Sequence, residues 1–138
     1  MFTEGALSEL FIDAVVSSVQ ADTGAQAVFI GRVRPDKKDN VTVSYIEFTA
    51  QKEIAIATAT DIILESREKF GIHHAEVWHS IGKINAGEAC FLVAVNGIHR
   101  KECFKALEYI VDQFKERCPV FGKEIMSDRS ALWKENRT

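Results

Sequence analysis

Proline is scarce in this chain: Pro35 and Pro119 are the only two in 138 residues. Neither interrupts a periodic apolar segment, so nothing breaks the helices and strands read below. Cysteine is scarce as well. Cys90, Cys103 and Cys118 are odd in number, widely spaced and without a C-x-x-C pair. That leaves a disulfide framework or a zinc site unsupported, and a reduced, cytoplasmic protein is the default expectation. Positive charge is not in excess: 17 Lys and Arg against 20 Asp and Glu leave a net charge of −3. This is the wrong sign for a general nucleic-acid binder, although a local basic pocket is compatible with any total. No apolar run reaches the length of a membrane span. The start, Met1-Phe2-Thr3-Glu4-Gly5, lacks the basic head and apolar core of a signal peptide. There is no internal repeat, linker or low-complexity stretch.

What is present reads as one globular domain over residues 1–138, with 46% hydrophobic and 27% charged residues and enough length to bury a core. Leu7, Leu10, Phe11, Ala14, Val15 and Val19 form a helical stripe over 7–19. Asp22-Thr23-Gly24 makes a turn, and 25–33 is a strand that ends on Arg32-Val33-Arg34. The segment 35–40, Pro-Asp-Lys-Lys-Asp-Asn, is a polar, mobile loop. A strand over 41–49 switches parity near Tyr45-Ile46, which suggests a bulge. The longest helix, 51–69, keeps Ile56, Ala59, Ile63 and Phe70 on one face, with Gly71 as its C-terminal cap. Residues 72–81 form a strand, 82–88 a glycine-bounded loop, and 89–97 a buried strand.

A helix then runs from about 99 to 117 with Phe104, Leu107, Val111 and Phe114 recurring at helical spacing, and Pro119 stops it. A short extended segment, 119–125, leads to a polar tail that Trp133 anchors on the body. The direct strand-to-strand passage at 81–88 favours an α+β fold with a largely antiparallel sheet and packed helices. His73, His74 and His79 invite a metal site. In a regular strand, however, 74 and 79 face opposite sides, and 73 and 79 lie roughly 20 Å apart, too far for one ion.

Cations gather at element ends. Arg32 and Arg34 close a strand, His99-Arg100-Lys101 open the last long helix, Lys115 and Arg117 end it, and Lys123 follows the proline. A strand-to-helix turn offers free N–H groups and cationic side chains, which suits an anion such as phosphate. Each charge alone reads equally as a solvated surface group, and Lys115 and Arg117 also suit the helix C-terminus. Arg100 and Lys115 are fifteen positions apart, roughly 22 Å along a helix. If both serve one small substrate, the two ends must come from two copies of the chain, and the site is composite across a symmetric dimer.

The ordered set Gly31-Arg32-Val33-Arg34, His99-Arg100-Lys101, Lys115, Pro119-Val120-Phe121-Gly122-Lys123-Glu124 and Trp133 resembles the large, catalytic subunit family of molybdopterin synthase, from about residue 5 to Trp133. The resemblance implies an α/β hammerhead fold and a homodimer. It implies a small ubiquitin-like sulfur-carrier partner on each large subunit, giving a heterotetramer. In such an assembly the carrier's Gly-Gly tail, as a thiocarboxylate, delivers two sulfurs to cyclic pyranopterin monophosphate and forms the dithiolene of molybdopterin. No cofactor or metal is implied.

Carried onto this chain, the pocket residues are Arg32, Arg34, His99, Arg100, Lys115, Gly122, Lys123 and Glu124. Lys115 and Lys123 are the expected catalytic pair, and the His-Arg pair comes from the partner copy. One departure stands out. Where the family has a first basic residue after the aromatic one, normally a catalytic lysine, this chain has Gly122. Lys123 is the expected substitute, although adjacent strand residues face opposite sides. The rival readings are a non-enzymatic phosphate- or nucleotide-binding dimeric module and a scaffold that merely recruits a ubiquitin-like partner. Turnover to a dithiolene separates both from a synthase.

Overall fold

A computed structural model describes residues 1–134. The elements are β1 (Phe2–Glu4), α1 (Glu9–Ser17), β2 (Ala25–Arg32), β3 (Lys37–Lys38), β4 (Val41–Ala50), α2 (Lys52–Phe70), β5 (His74–Asn85), β6 (Ala89–Gly97), α3 (Arg100–Arg117), β7 (Val120–Met126) and β8 (Ala131–Trp133). The strand order is β2-β6-β5-β4-β7-β8, with β1 beside β5 and β3 beside β4. Every pairing is antiparallel except β1 with β5. The α+β expectation therefore holds.

β6 is buried at every position, because both of its faces are covered. Phe91, Val93 and Val95 join the main core with residues of α2 and α3, while Ala89, Leu92 and Ala94 pack with Ile12 and Val15 of α1 on the other side. A strand covered on both faces reads as an unbroken apolar run, as 89–95 does.

Several expectations shift. The N-terminus adds β1, whose parallel register puts Phe2 opposite His79. The loop placed at 82–88 begins later, because β5 continues to Asn85 and pairs first with β6 and then with β4. The loop at 35–40 contains a hairpin: Lys37 and Lys38 pair with Thr42 and Val41, and Asp39 and Asn40 turn it at φ 48 and 67. Two consecutive positive φ values are what a tight hairpin turn demands, and Asp and Asn tolerate them. The bulge in β4 lies between Val43 and Tyr45, beside the parity switch. Gly71 caps α2 at φ 72 with its N–H on the Arg67 carbonyl.

The helix faces are met in part: Ala59 and Phe114 are buried as expected, and Ile63, Phe70, Leu107 and Val111 pack partly buried on the core. α2 buries Ala55, Ala59, Ile62 and Ser66, and α3 buries Cys103, Ala106, Ile110 and Phe114. Ile56 and Phe104, expected inside, are 45% and 60% exposed. Small residues fill the seam where α2 and α3 pack on each other and α3 on β2 and β6. Bulky residues would hold these elements apart.

Candidate active site

The end of β2, the end of α3 and the start of β7 converge. Pro119 ends α3, and its carbonyl accepts the Gln51 N–H at 3.1 Å, so the chain is turned at once into β7. Between these elements lies a cleft of about 480 Å³. Its inner wall is aromatic. His79, buried, sits among three phenylalanines, with ring centroids 4.8 Å from Phe48, 5.3 Å from Phe91 and 5.9 Å from Phe114. Phe29, Arg32, Lys115, Gly122, Trp133 and Lys134 line the rest with Cys90.

Burial and charge set the protonation states. The His79 pKa falls to about 4, chiefly because burial disfavours the imidazolium; Lys134 and Lys115 push the same way, against the Ser80 carbonyl. His79 Nδ1 lies 2.7 Å from that carbonyl, which can only accept, so Nδ1 carries the proton and Nε2 does not. Burial raises the Cys90 thiol to about 11, despite the opposing pull of Lys134 and Lys115. It therefore stays protonated at neutral pH and is no sulfur nucleophile there. The Lys134 ammonium is lowered, first by partial desolvation and then by Lys115 and Arg34, with Cys90 and Glu124 opposing.

The expected pocket residues separate into three groups. Arg32, Lys115 and Gly122 line the cleft. Arg32 Nη1 donates to the Gly87 carbonyl at 3.1 Å, and Lys115 Nζ stands 6.0 Å from the Phe29 ring centre. Arg34, Lys123 and Glu124 lie close by but off its lining. Arg34 reaches Asp36 at 3.4 Å. Lys123 sets its ammonium 5.9 Å from the Trp133 ring centre. Glu124 is 4% exposed and meets Lys38 at 3.7 Å.

His99 and Arg100 form the third group, exposed at the opposite end of α3, where His99 Nδ1 is 3.0 Å from Glu102. Arg117 touches the cleft too, but its guanidinium holds Glu65 through two bonds of 2.8 and 3.0 Å and ties α3 to α2.

Among the lining residues not foreseen, two bear on its charge, His79 and Lys134. His79 reads in the sequence only as part of a histidine cluster. Lys134 carries no signal beyond following Trp133. Trp133 itself is 66% exposed: the tail is held by β8 pairing with β7, not by a buried indole.

The MoaE protein family model matches residues 6–117. A molybdopterin synthase catalytic subunit from Pyrococcus abyssi is 38% identical over 88% of this chain and 80% of its own length. The crystal structure of molybdopterin synthase from Staphylococcus aureus superposes with a TM-score of 0.82 at 28% identity, covering 96% of each chain. A protein–protein complex of subunits 1 and 2 of molybdopterin-converting factor from Helicobacter pylori contains a chain of the same fold, with a TM-score of 0.79 at 22% identity, covering 99% of this chain and 90% of that one. With the family model spanning most of the sequence and a relative 38% identical over 88% of it, the chain belongs to the MoaE protein family.

Proposed function

We propose that this chain is the catalytic subunit of a molybdopterin synthase, a sulfurtransferase of molybdenum cofactor biosynthesis. Its donor is the thiocarboxylated tail of a small ubiquitin-like carrier subunit, and its acceptor is cyclic pyranopterin monophosphate. The observation that carries the reading is Lys115, presented by the end of α3 to a cleft with an aromatic inner wall, in a chain of this family. The carrier partner is supported by the Helicobacter pylori complex, whose matching chain shares the fold.

Each transfer forms a carbon–sulfur bond on the acceptor in place of a carbon–oxygen bond, whose oxygen leaves with the opened phosphate ester or as water, and breaks the acyl–sulfur bond of the tail. Water takes the acyl group and leaves a carboxylate. Two such transfers build the dithiolene, each with a fresh carrier. The thiocarboxylate is already nucleophilic, so the protein has to hold two anionic reactants together and move protons. Lys115 is the group at the reacting centre, suited to proton transfer or a transient covalent role. Arg32 on the cleft lining and Arg34 close by offer guanidinium forks for the phosphate. His99 and Arg100 serve the cleft of a second copy, because one unbroken helix of roughly 22 Å separates them from Lys115.

Reconstitution tests this. The chain, incubated with thiocarboxylated carrier and the cyclic substrate, yields a dithiolene product. Lys115→Ala lowers its rate by about 10²–10⁴-fold while the oligomer and carrier affinity persist. No product from the unaltered chain defeats the reading, and a Lys115→Ala variant that unfolds or loses the carrier makes Lys115 structural.

A further inference from the structure

Gly122 leaves the cleft without a side chain at the position where the family's lysine is expected, and Lys134 lies directly across from it. The Lys134 N–H donates to the Gly122 carbonyl at 2.8 Å. This continues the register in which Lys123 faces Trp133 and Glu124 faces Leu132. Directly opposed residues of an antiparallel pair send their side chains to the same face. Gly122 is buried in β7 and its Cβ direction points at Phe48, which lines the cleft, so that face is the cleft face. Lys123, one residue along, takes the other face over Trp133.

The space explains the arrangement. A Cβ on Gly122 would come within 3.0 Å of both the Phe48 ring and an Ile46 methyl. Both are core side chains, so the room a lysine at 122 would need is already filled. The partner strand instead supplies the cation across a bare backbone.

We propose that Lys134 is the second cation of this cleft, holding together with Lys115 one anionic group of the reactants, either the thiocarboxylate of the carrier tail or the phosphate of the pterin substrate. This rests on the sulfur-transfer reading above. Lys134 is exposed to solvent, while its ammonium is near enough to Lys115, His79 and Cys90 to act on all three electrostatically. Two ammonium groups sharing a partly desolvated wall repel one another, and an anion between them relieves that repulsion. The nearby carboxylate of Glu124 is engaged by Lys38 at 3.7 Å.

The experiment compares the unaltered chain with Lys134→Met, Lys134→Arg and Lys123→Ala in the reconstituted reaction, varying carrier and pterin substrate separately. Lys134→Met keeps the aliphatic stem and the main-chain bond to Gly122, so its melting temperature stays near that of the unaltered chain. Its kcat/KM falls by at least about tenfold, the size of a lost contact to a charged group. A rise confined to the KM for carrier assigns the thiocarboxylate, and a rise confined to that for the pterin assigns the phosphate.

Lys134→Arg restores most of the rate and moves the alkaline limb of the pH profile upward, since a guanidinium does not titrate there. Full kcat/KM in Lys134→Met overturns the proposal, as does a loss in Lys123→Ala without one in Lys134→Met. Either outcome presupposes product from the unaltered chain, so neither is confused with failure of the sulfur-transfer reading.

Discussion

His79 shows how one residue's surroundings decide its chemistry. Three phenylalanine rings and near-complete burial hold it neutral, with a pKa of about 4. Its effect on stability follows with a definite sign. The unfolded chain takes up this proton near pH 6.5, while the folded chain resists until about 4. Between those values the unfolded state binds more protons, so stability falls as pH falls. The whole step is on the order of 3–4 kcal/mol. Urea or thermal melts between pH 7 and 4 should show this slope, and His79→Gln should flatten it. An unchanged slope in that variant would mean that His79 titrates alike in the folded and the unfolded chain. The cysteines show the same logic in reverse. Cys90 and Cys118, both raised to about 11 by burial, pack as thiols.

At the scale of elements, α2 and α3 are held by small residues at the seam and by a polar clamp outside it. Glu65 accepts from Arg117 and from Tyr109 at 2.7–3.0 Å, and its carboxyl is held down at about 2, mostly by Arg117. The clamp fixes the last turn of α3, which carries Lys115. The seam is the tighter constraint. Ala59 is 2% exposed, so Ala59→Leu forces the helix outward and should cost about 1–3 kcal/mol. Ile56→Ala, one turn position away on the outer face, should cost under about 1 kcal/mol. Equal losses in chemical denaturation would contradict the observed phase of the helix.

The 3.6-residue period of both helices was legible in the sequence, but its phase only in part. Apolar side chains occupy more than one face: Ile54, Ile56 and Leu64 lie outside on α2 and Phe104 on α3. Periodicity then points at the largest residues, while close packing also buries small ones such as Ala55, Ala59, Ser66 and Ala106.

For the whole molecule, the separation of His99 and Arg100 from Lys115 is the controlling fact. If the complete site takes its ends from two copies, two inactive chains should repair each other. Co-refolding Lys115→Ala with Arg100→Ala at equal amounts gives heterodimers as half of all dimers. Each heterodimer has one site with both residues intact, so about a quarter of all sites recover. Activity assays on the mixture against each variant alone would read this directly. No recovery would mean that Arg100 does not complete the Lys115 cleft of a partner.

The sequence by itself determined the α+β class, the buried strand 89–97, the helix that Pro119 ends and the cations at its two ends. These are local facts, written in period, composition and turn chemistry within a few residues of where they apply. It also carried an ordered motif set that pointed to the family whose model matches residues 6–117. Only the tertiary structure decided which cations share a cleft. That depends on strand register: the β7–β8 pairing brings Lys134 opposite Gly122 across twelve residues of chain, and β5 carries His79 in from a segment that reads as an isolated histidine cluster. Register is fixed by core packing on both sheet faces, because a slip of one residue would turn every side chain to the wrong side, and no local pattern in the last residues encodes that choice.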